Sequence, residues 1–97
     1  MIIERAELPI TPGREVEFET RFAAAVPSLT SATGCGGVSL ARGVETPSKY
    51  LLAIEWDSLE DHRRFATTEE FEHFVGLIGP CLAGKPDTEH FVPVVLP

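Results

Sequence analysis

The segment YLLAIEW, residues 50–56, constrains the fold more than any other part of this sequence. In a β-strand, successive side chains point to opposite faces of the sheet. One face of this strand then carries four large apolar side chains: Tyr50, Leu52, Ile54 and Trp56. The opposite face is also apolar at Leu51 and Ala53. A sheet built around this strand therefore needs a cover on both of its faces.

Three further strand patterns and a first helix surround this segment. Residues 2–10, 37–42 and 88–96 alternate as strands, and the turn-rich GVETPS links residues 37–42 to residues 49–56 as a hairpin. A first helix is expected to begin at a Thr11 cap, with Pro12 in its first position, and to kink or end at Pro27. Its apolar stripe is predicted to consist of Val16, Phe18, Phe22 and Val26.

A second helical region follows Trp56 in the sequence DSLEDHRRF. Ser58 is the expected N-cap, and a fresh cap at Thr67 with Glu70 three residues later has the spacing of a capping box. The helix that begins there should carry an apolar stripe of Phe71, Phe74, Val75 and Ile78.

The order β-α-β-β-α-β predicts one ferredoxin-like α+β domain over residues 1–97, an antiparallel sheet with helices on one face. Two helices can cover only one face of that sheet. A second copy of the chain is the simplest cover for the other face, so we expect a homodimer. Leu51, Ala53 and Phe91 are then predicted to lie between the two sheets.

Composition excludes several classes of partner and site. The net charge of −7, with scattered Lys and Arg residues, argues against nucleic-acid binding, and no apolar run is long enough to cross a membrane. Cys35 and Cys81 do not make a disulfide framework, so we expect a cytoplasmic protein with reduced thiols. Along one helix, His62 and His73 would lie ~16 Å apart, so no metal site is expected.

Several motifs together resemble a known family. PGREVEF opens the first helix, PSKYLLAIEWDSLEDHRRF joins the third strand to the second helical region, and VGLIGP and TEHFVPV follow. Over nearly the whole chain, this pattern is similar to antibiotic biosynthesis monooxygenase-like members of the dimeric α+β barrel superfamily. The resemblance implies a homodimer, with a pocket between sheet and helices in each subunit.

Relatives within that superfamily use different chemistries. Haem-degrading members carry an Asn on the first strand, a Trp ending the third strand, and a His about ten residues after it. Trp56 matches the second position, but the other two are Ala6 and Ala66, and the chain contains no Asn. Cofactor-free oxygenases need only an aromatic pocket and a proton acceptor, so the resemblance implies chemistry without a cofactor.

Candidate site residues follow from this comparison and from the strand pattern. His62 is the candidate catalytic base, because an imidazole near its usual pKa of ~6.5 can accept a phenolic proton. The exposed surface of a charged helix is the alternative placement for His62, and a core position is the alternative for Trp56. The candidate substrate-binding residues are Trp56, Ile54, Leu52, Phe65 and His90.

Three functions are therefore distinguished. The first is a cofactor-independent monooxygenase acting on a small aromatic or quinol-type compound. The second is a small-molecule binding or isomerase-type protein of the same superfamily, without oxygen chemistry. The third is a dimer whose pocket has closed and that serves interaction alone.

Overall fold

Four strands and three helices follow one another in the predicted order, with the second helical region divided in two. The structure is a computed structural model that describes residues 1–97. Its elements are β1 (Ile2–Pro9), α1 (Glu15–Thr30), β2 (Cys35–Arg42), β3 (Lys49–Trp56), α2 (Leu59–Phe65), α3 (Glu69–Ile78), a 3₁₀ turn (Gly79–Cys81) and β4 (Asp87–Phe91). The sheet order is β2-β3-β1-β4 with every pair antiparallel, which confirms the ferredoxin-like α+β fold.

The sheet register places a charged residue among apolar neighbours. β1 pairs with β3 so that Glu4 lies opposite Ile54, and with β4 so that Glu4 lies opposite His90. The side chains of Glu4, Ala6 and Leu8 share the face that packs against the helices, since all three are buried. We call this the inner face, and the opposite one the outer face.

The core lies between the inner face and the helices. Its largest fully buried side chains include Trp56, Tyr50 and Ile10 from the sheet side. The α1 stripe that meets them consists of Phe18, Phe22, Ala25 and Leu29. None of the helices has the length and apolar composition that a membrane crossing requires.

The first helix differs from its prediction at its start and in its apolar stripe. It begins at Glu15 rather than beside Thr11, because Gly13 has a φ of 94° and turns the chain before Arg14, the actual N-cap. Val16, expected in the apolar stripe, is 79% exposed. The helix continues past Pro27 for its last turn, to Thr30, since Pro27 is exposed and so is Ala23, the residue whose carbonyl loses its partner.

Two later boundaries also differ. Thr68, not Thr67, caps α3 by accepting a hydrogen bond from the backbone N–H of Phe71 at 3.2 Å. Thr67 instead donates its hydroxyl proton to the carbonyl of Arg64, which ends α2. The last strand stops at Phe91, five residues before its predicted end, and the apolar side chains of the following segment are exposed.

Candidate functional site

A cavity of about 350 Å³ lies between the inner face of the sheet and α3. Its polar lining is restricted to Glu4, His62 and Thr88. The remaining lining is apolar: Ala6, Leu8, Leu52, Ala66, Phe71, Phe74, Val75, Ile78, Leu82 and Pro86. The existence of this space contradicts the third alternative, a pocket that has closed. An apolar space with few convergent polar groups is the usual form of a small-molecule site.

Glu4 is the buried charged residue of the chain, with 8% of its surface exposed. The indole Nε1 of Trp56 donates a hydrogen bond to its Oε1 oxygen at 3.0 Å. The Nε2 atom of His62 lies 3.2 Å from the same oxygen. Burying a carboxylate costs several kcal/mol unless it is paired or hydrogen-bonded, and these two donors supply the pairing.

His62 reaches the cavity from the middle of the short helix α2. Ser58 caps this helix by accepting a hydrogen bond from the backbone N–H of Asp61 at 3.2 Å, which fixes the first turn. The His62 ring then stacks on Trp56, with centroids 5.3 Å apart and planes inclined by 14°. The strand end and the helix cap therefore bring these two side chains together, as their spacing in the sequence indicates.

The protonation of His62 follows from its neighbours. Burial, the largest effect, lowers the pKa of His62; the charge of Glu4 opposes this, and His90 lowers the pKa further. Because a carboxylate only accepts hydrogen bonds, the neutral ring donates from Nε2 to Glu4 and keeps its lone pair on Nδ1. That Nδ1 atom lies 2.7 Å from Nε2 of His90. A neutral, oriented imidazole of this kind is a competent general base.

The predicted site residues separate into three groups. His62 and Leu52 line the cavity. Trp56 and Ile54 are core side chains with 0% and 2% exposure, so Trp56 supports His62 from below instead of forming a cavity wall. His90 lies outside the lining and contacts His62.

Phe65 is also displaced from the predicted site. It is 5% exposed and packs against Trp56 and Phe71, with ring centroids 5.6 Å away in both cases. It borders a separate polar cleft of about 290 Å³ between the end of α1 and the helices α2 and α3. Phe65 therefore holds α2 against the core.

Sequence reasoning missed Glu4. It alternates with Ile2, Ala6 and Leu8, but a carboxylate interrupts the apolar pattern of these positions and so does not mark a buried position by hydrophobicity. An ionisable residue at an inward strand position is itself a signal of a site, because such a group needs a buried partner. Thr88 and Ala66 carry no comparable signal, since their place in the lining depends on contacts between distant parts of the chain.

The cavity also bears on haem chemistry. The positions at which haem-degrading relatives are expected to carry Asn and His are Ala6 and Ala66, and both line the cavity. These methyl groups offer neither a hydrogen bond nor an iron ligand. No group of three His, Cys, Asp or Glu side chains in the chain is arranged to hold a metal ion.

Comparison with known proteins places this chain within one family. Residues 1–77, which include Glu4, Trp56 and His62, match the family model of antibiotic biosynthesis monooxygenases. An uncharacterised Bacillus subtilis protein, YczJ, is 37% identical over 92 residues, which cover 94% of this chain and 97% of YczJ.

Solved structures agree with this match. A Bordetella bronchiseptica protein assigned to antibiotic biosynthesis monooxygenases superposes with a TM-score of 0.94 at 36% identity, covering 97% of both chains. SnoaB of Streptomyces nogalater, a cofactor-independent oxygenase, superposes with a TM-score of 0.83 at 16% identity, covering 98% of this chain and 94% of SnoaB. The SnoaB likeness shows a shared fold.

Proposed function

The chain belongs to the antibiotic biosynthesis monooxygenase family, and we propose that it is a cofactor-independent monooxygenase acting on a small aromatic compound of the phenol or quinol type. The observation that carries this proposal is the hydrogen-bonded pair of Glu4 and His62 at the wall of an otherwise apolar cavity. Such a pair can take a proton from a substrate whose rings the apolar walls accommodate.

The volume and lining of the cavity support an aromatic substrate. About 350 Å³ is near the lower end of the ~300–1,000 Å³ that is usual for small-molecule pockets, which favours a compound of one or two rings. Phe71 and Phe74 offer aromatic faces and edges, and Leu52 offers an aliphatic surface on the opposite side. Thr88 adds a hydroxyl that can hydrogen-bond a second oxygen of the substrate.

Deprotonation is the step that the protein assists. A phenol transfers its O–H proton to Nδ1 of His62, and the electron pair stays on the ring oxygen. The electron-rich anion then reduces O₂ directly at the para carbon. One oxygen atom becomes a carbonyl in place of the para C–H, the other leaves as water, and a quinone results. The substrate supplies all four electrons, so atoms and charge balance without a cofactor.

Oxygen uptake with 1,5-dihydroxynaphthalene tests the proposal. This compound has two rings, and monooxygenation converts it to 5-hydroxy-1,4-naphthoquinone and water. We expect uptake above the protein-free rate that persists in the presence of a metal chelator and needs no added flavin or haem. His62→Ala should lose it, whereas His73→Ala, which changes an exposed histidine of α3, should retain it. Uptake that disappears with chelation and returns with iron would contradict the proposal.

A non-oxygenase alternative rests on the same two residues. A carboxylate–imidazole pair can take a proton and return it elsewhere on a bound substrate, as an isomerase requires. Deuterium exchange into the substrate under nitrogen, with no oxygen uptake in air, would favour this alternative.

We also propose a homodimer formed through the outer face of the sheet. Leu51 and Phe91 on that face are 39% and 45% exposed in the single chain, which is more than large apolar side chains usually are. The face is less apolar than the sequence indicated, because Arg5 at its centre pairs with Glu7 at 3.0 Å and Glu89 at 3.2 Å. An interface there would combine apolar contacts with this charged network.

A further inference from the structure

We infer that His62 and His90 form a proton relay from the cavity to solvent, with Glu4 holding the His62 ring in place and His90 as the outer end. The inference rests on the proposed function for the origin of the proton. It adds a path by which the base is regenerated after each turnover.

The three groups form an unbroken chain of polar contacts. Oε1 of Glu4 lies 3.2 Å from Nε2 of His62, and Nδ1 of His62 lies 2.7 Å from Nε2 of His90. The antiparallel register places His90 directly opposite Glu4 on the inner face, so this contact is built into the sheet. The exposed fraction of the side chain rises from 10% at Glu4 to 17% at His62, and His90 is exposed.

The surroundings of His62 leave one direct way out for a proton. Trp56 covers one face of the ring by stacking. The Glu4 end is closed, since its Oε1 already receives the indole N–H and the carboxylate is buried. An imidazole that accepts a proton in this place becomes a partly buried cation, which burial disfavours. Transfer to the exposed ring of His90 removes that charge from the cavity.

Each turnover brings one proton from the substrate to His62 and releases one proton from His90 to solvent. The substrate hydroxyl first replaces His90 at Nδ1 of His62, and its proton moves to that nitrogen. His90, whose exposed ring changes tautomer through water, returns with its lone pair on Nε2 and takes the proton there. It then releases the proton on its Nδ1 to water or buffer. Both rings end in the tautomers from which they began, with Glu4 holding Nε2–H of His62 throughout.

Buffer rescue of His90→Ala tests the relay. In dilute buffer we expect turnover of 1,5-dihydroxynaphthalene to fall at least tenfold, because proton release is slow. KM should not rise, because the substrate no longer has to displace His90 from Nδ1 of His62. Added imidazole should restore turnover, since it accepts the proton in place of the missing ring. His73→Ala should behave as the unaltered protein does, with and without imidazole. Full turnover in His90→Ala, or a loss that imidazole does not restore, would overturn the relay.

A second measurement needs no turnover, so it separates failure of the relay from failure of the proposed function. In ¹⁵N-histidine-labelled protein without substrate, the Nδ1 resonance of His62 should have the shift of a lone-pair nitrogen that accepts a hydrogen bond from His90, and in His90→Ala it should move toward the shift of a free lone pair. The spectrum of His62→Ala identifies the resonance. An Nδ1 resonance at the same shift in His90→Ala and in the unaltered protein would overturn the relay even if no phenol is ever oxidised.

Discussion

Replacing Trp56 with Ala should destabilise the protein more than any other single truncation near the cavity. The ring is 0% exposed, and truncating a buried aromatic side chain costs ~3–5 kcal/mol in transfer and cavity terms. The change also removes the indole N–H that Glu4 accepts at 3.0 Å, and a hydrogen bond to a charged group contributes ~1.5–3 kcal/mol. Water that enters the new cavity can hydrate the carboxylate, so the two losses overlap. We expect the free energy of unfolding to fall by ~4–6 kcal/mol in total.

Urea denaturation followed by circular dichroism, at one fixed protein concentration, measures this loss. Trp56→Phe is the matched variant, because it keeps an aromatic ring in the core and removes the N–H donor; its expected cost is ~2–3 kcal/mol. Val16→Ala changes a side chain of α1 that is 79% exposed, so its free energy of unfolding should stay within ~0.5 kcal/mol of that of the unaltered protein. A Trp56→Ala loss below ~1 kcal/mol would refute the packing of Trp56 beneath His62.

Three further predictions concern assembly, pH and backbone. Leu51→Asp places a charge in the proposed dimer interface, so light scattering should give the mass of a monomer; an unchanged dimer mass would contradict that interface. The pKa of His62 is lower in the folded protein than the ordinary value of 6.5 that it has in the unfolded chain. Near pH 6.5 the unfolded chain therefore binds more protons than the folded protein, and the free energy of unfolding should decrease as the pH falls from 7.5 through 6.5. The decrease should be smaller in His62→Gln. Gly34→Ala should lower the free energy of unfolding by more than the ~1–2 kcal/mol expected for Gly13→Ala. Both glycines have a positive φ, but only at Gly34 would a Cβ meet the side chain of Asp61. Thermal denaturation measures both losses, and equal losses would count against the contact.

The parts of the fold that follow from local alternation were predictable. The strand over residues 49–56 is confirmed at both ends, because its inward positions are all large and apolar. Helix ends were less predictable. Pro27 could be tolerated only because the helix surface there is exposed, and that depends on how α1 lies on the sheet.

The site shows the same division between local and distant contacts. Trp56 and His62 are six residues apart in the sequence, and their nearness follows from the strand end at Trp56 and the helix cap at Ser58 between them. The partner of both, Glu4, lies more than fifty residues earlier and becomes a neighbour only through the β1–β3 pairing. The cavity itself is lined by the small side chains of Ala6 on the sheet and Ala66 at the α2–α3 junction, and no local pattern specifies that these two residues border one space.

We propose that His62 accepts the substrate proton in a monooxygenation for which the substrate supplies all the electrons. Incubation of 1,5-dihydroxynaphthalene under ¹⁸O₂, followed by mass spectrometry of the quinone, tests it most directly. We predict one labelled oxygen atom in each product molecule, formed ~10²–10⁴-fold more slowly by His62→Ala than by the unaltered protein. Label no higher than in the protein-free reaction, or equal rates in the two proteins, would contradict the account.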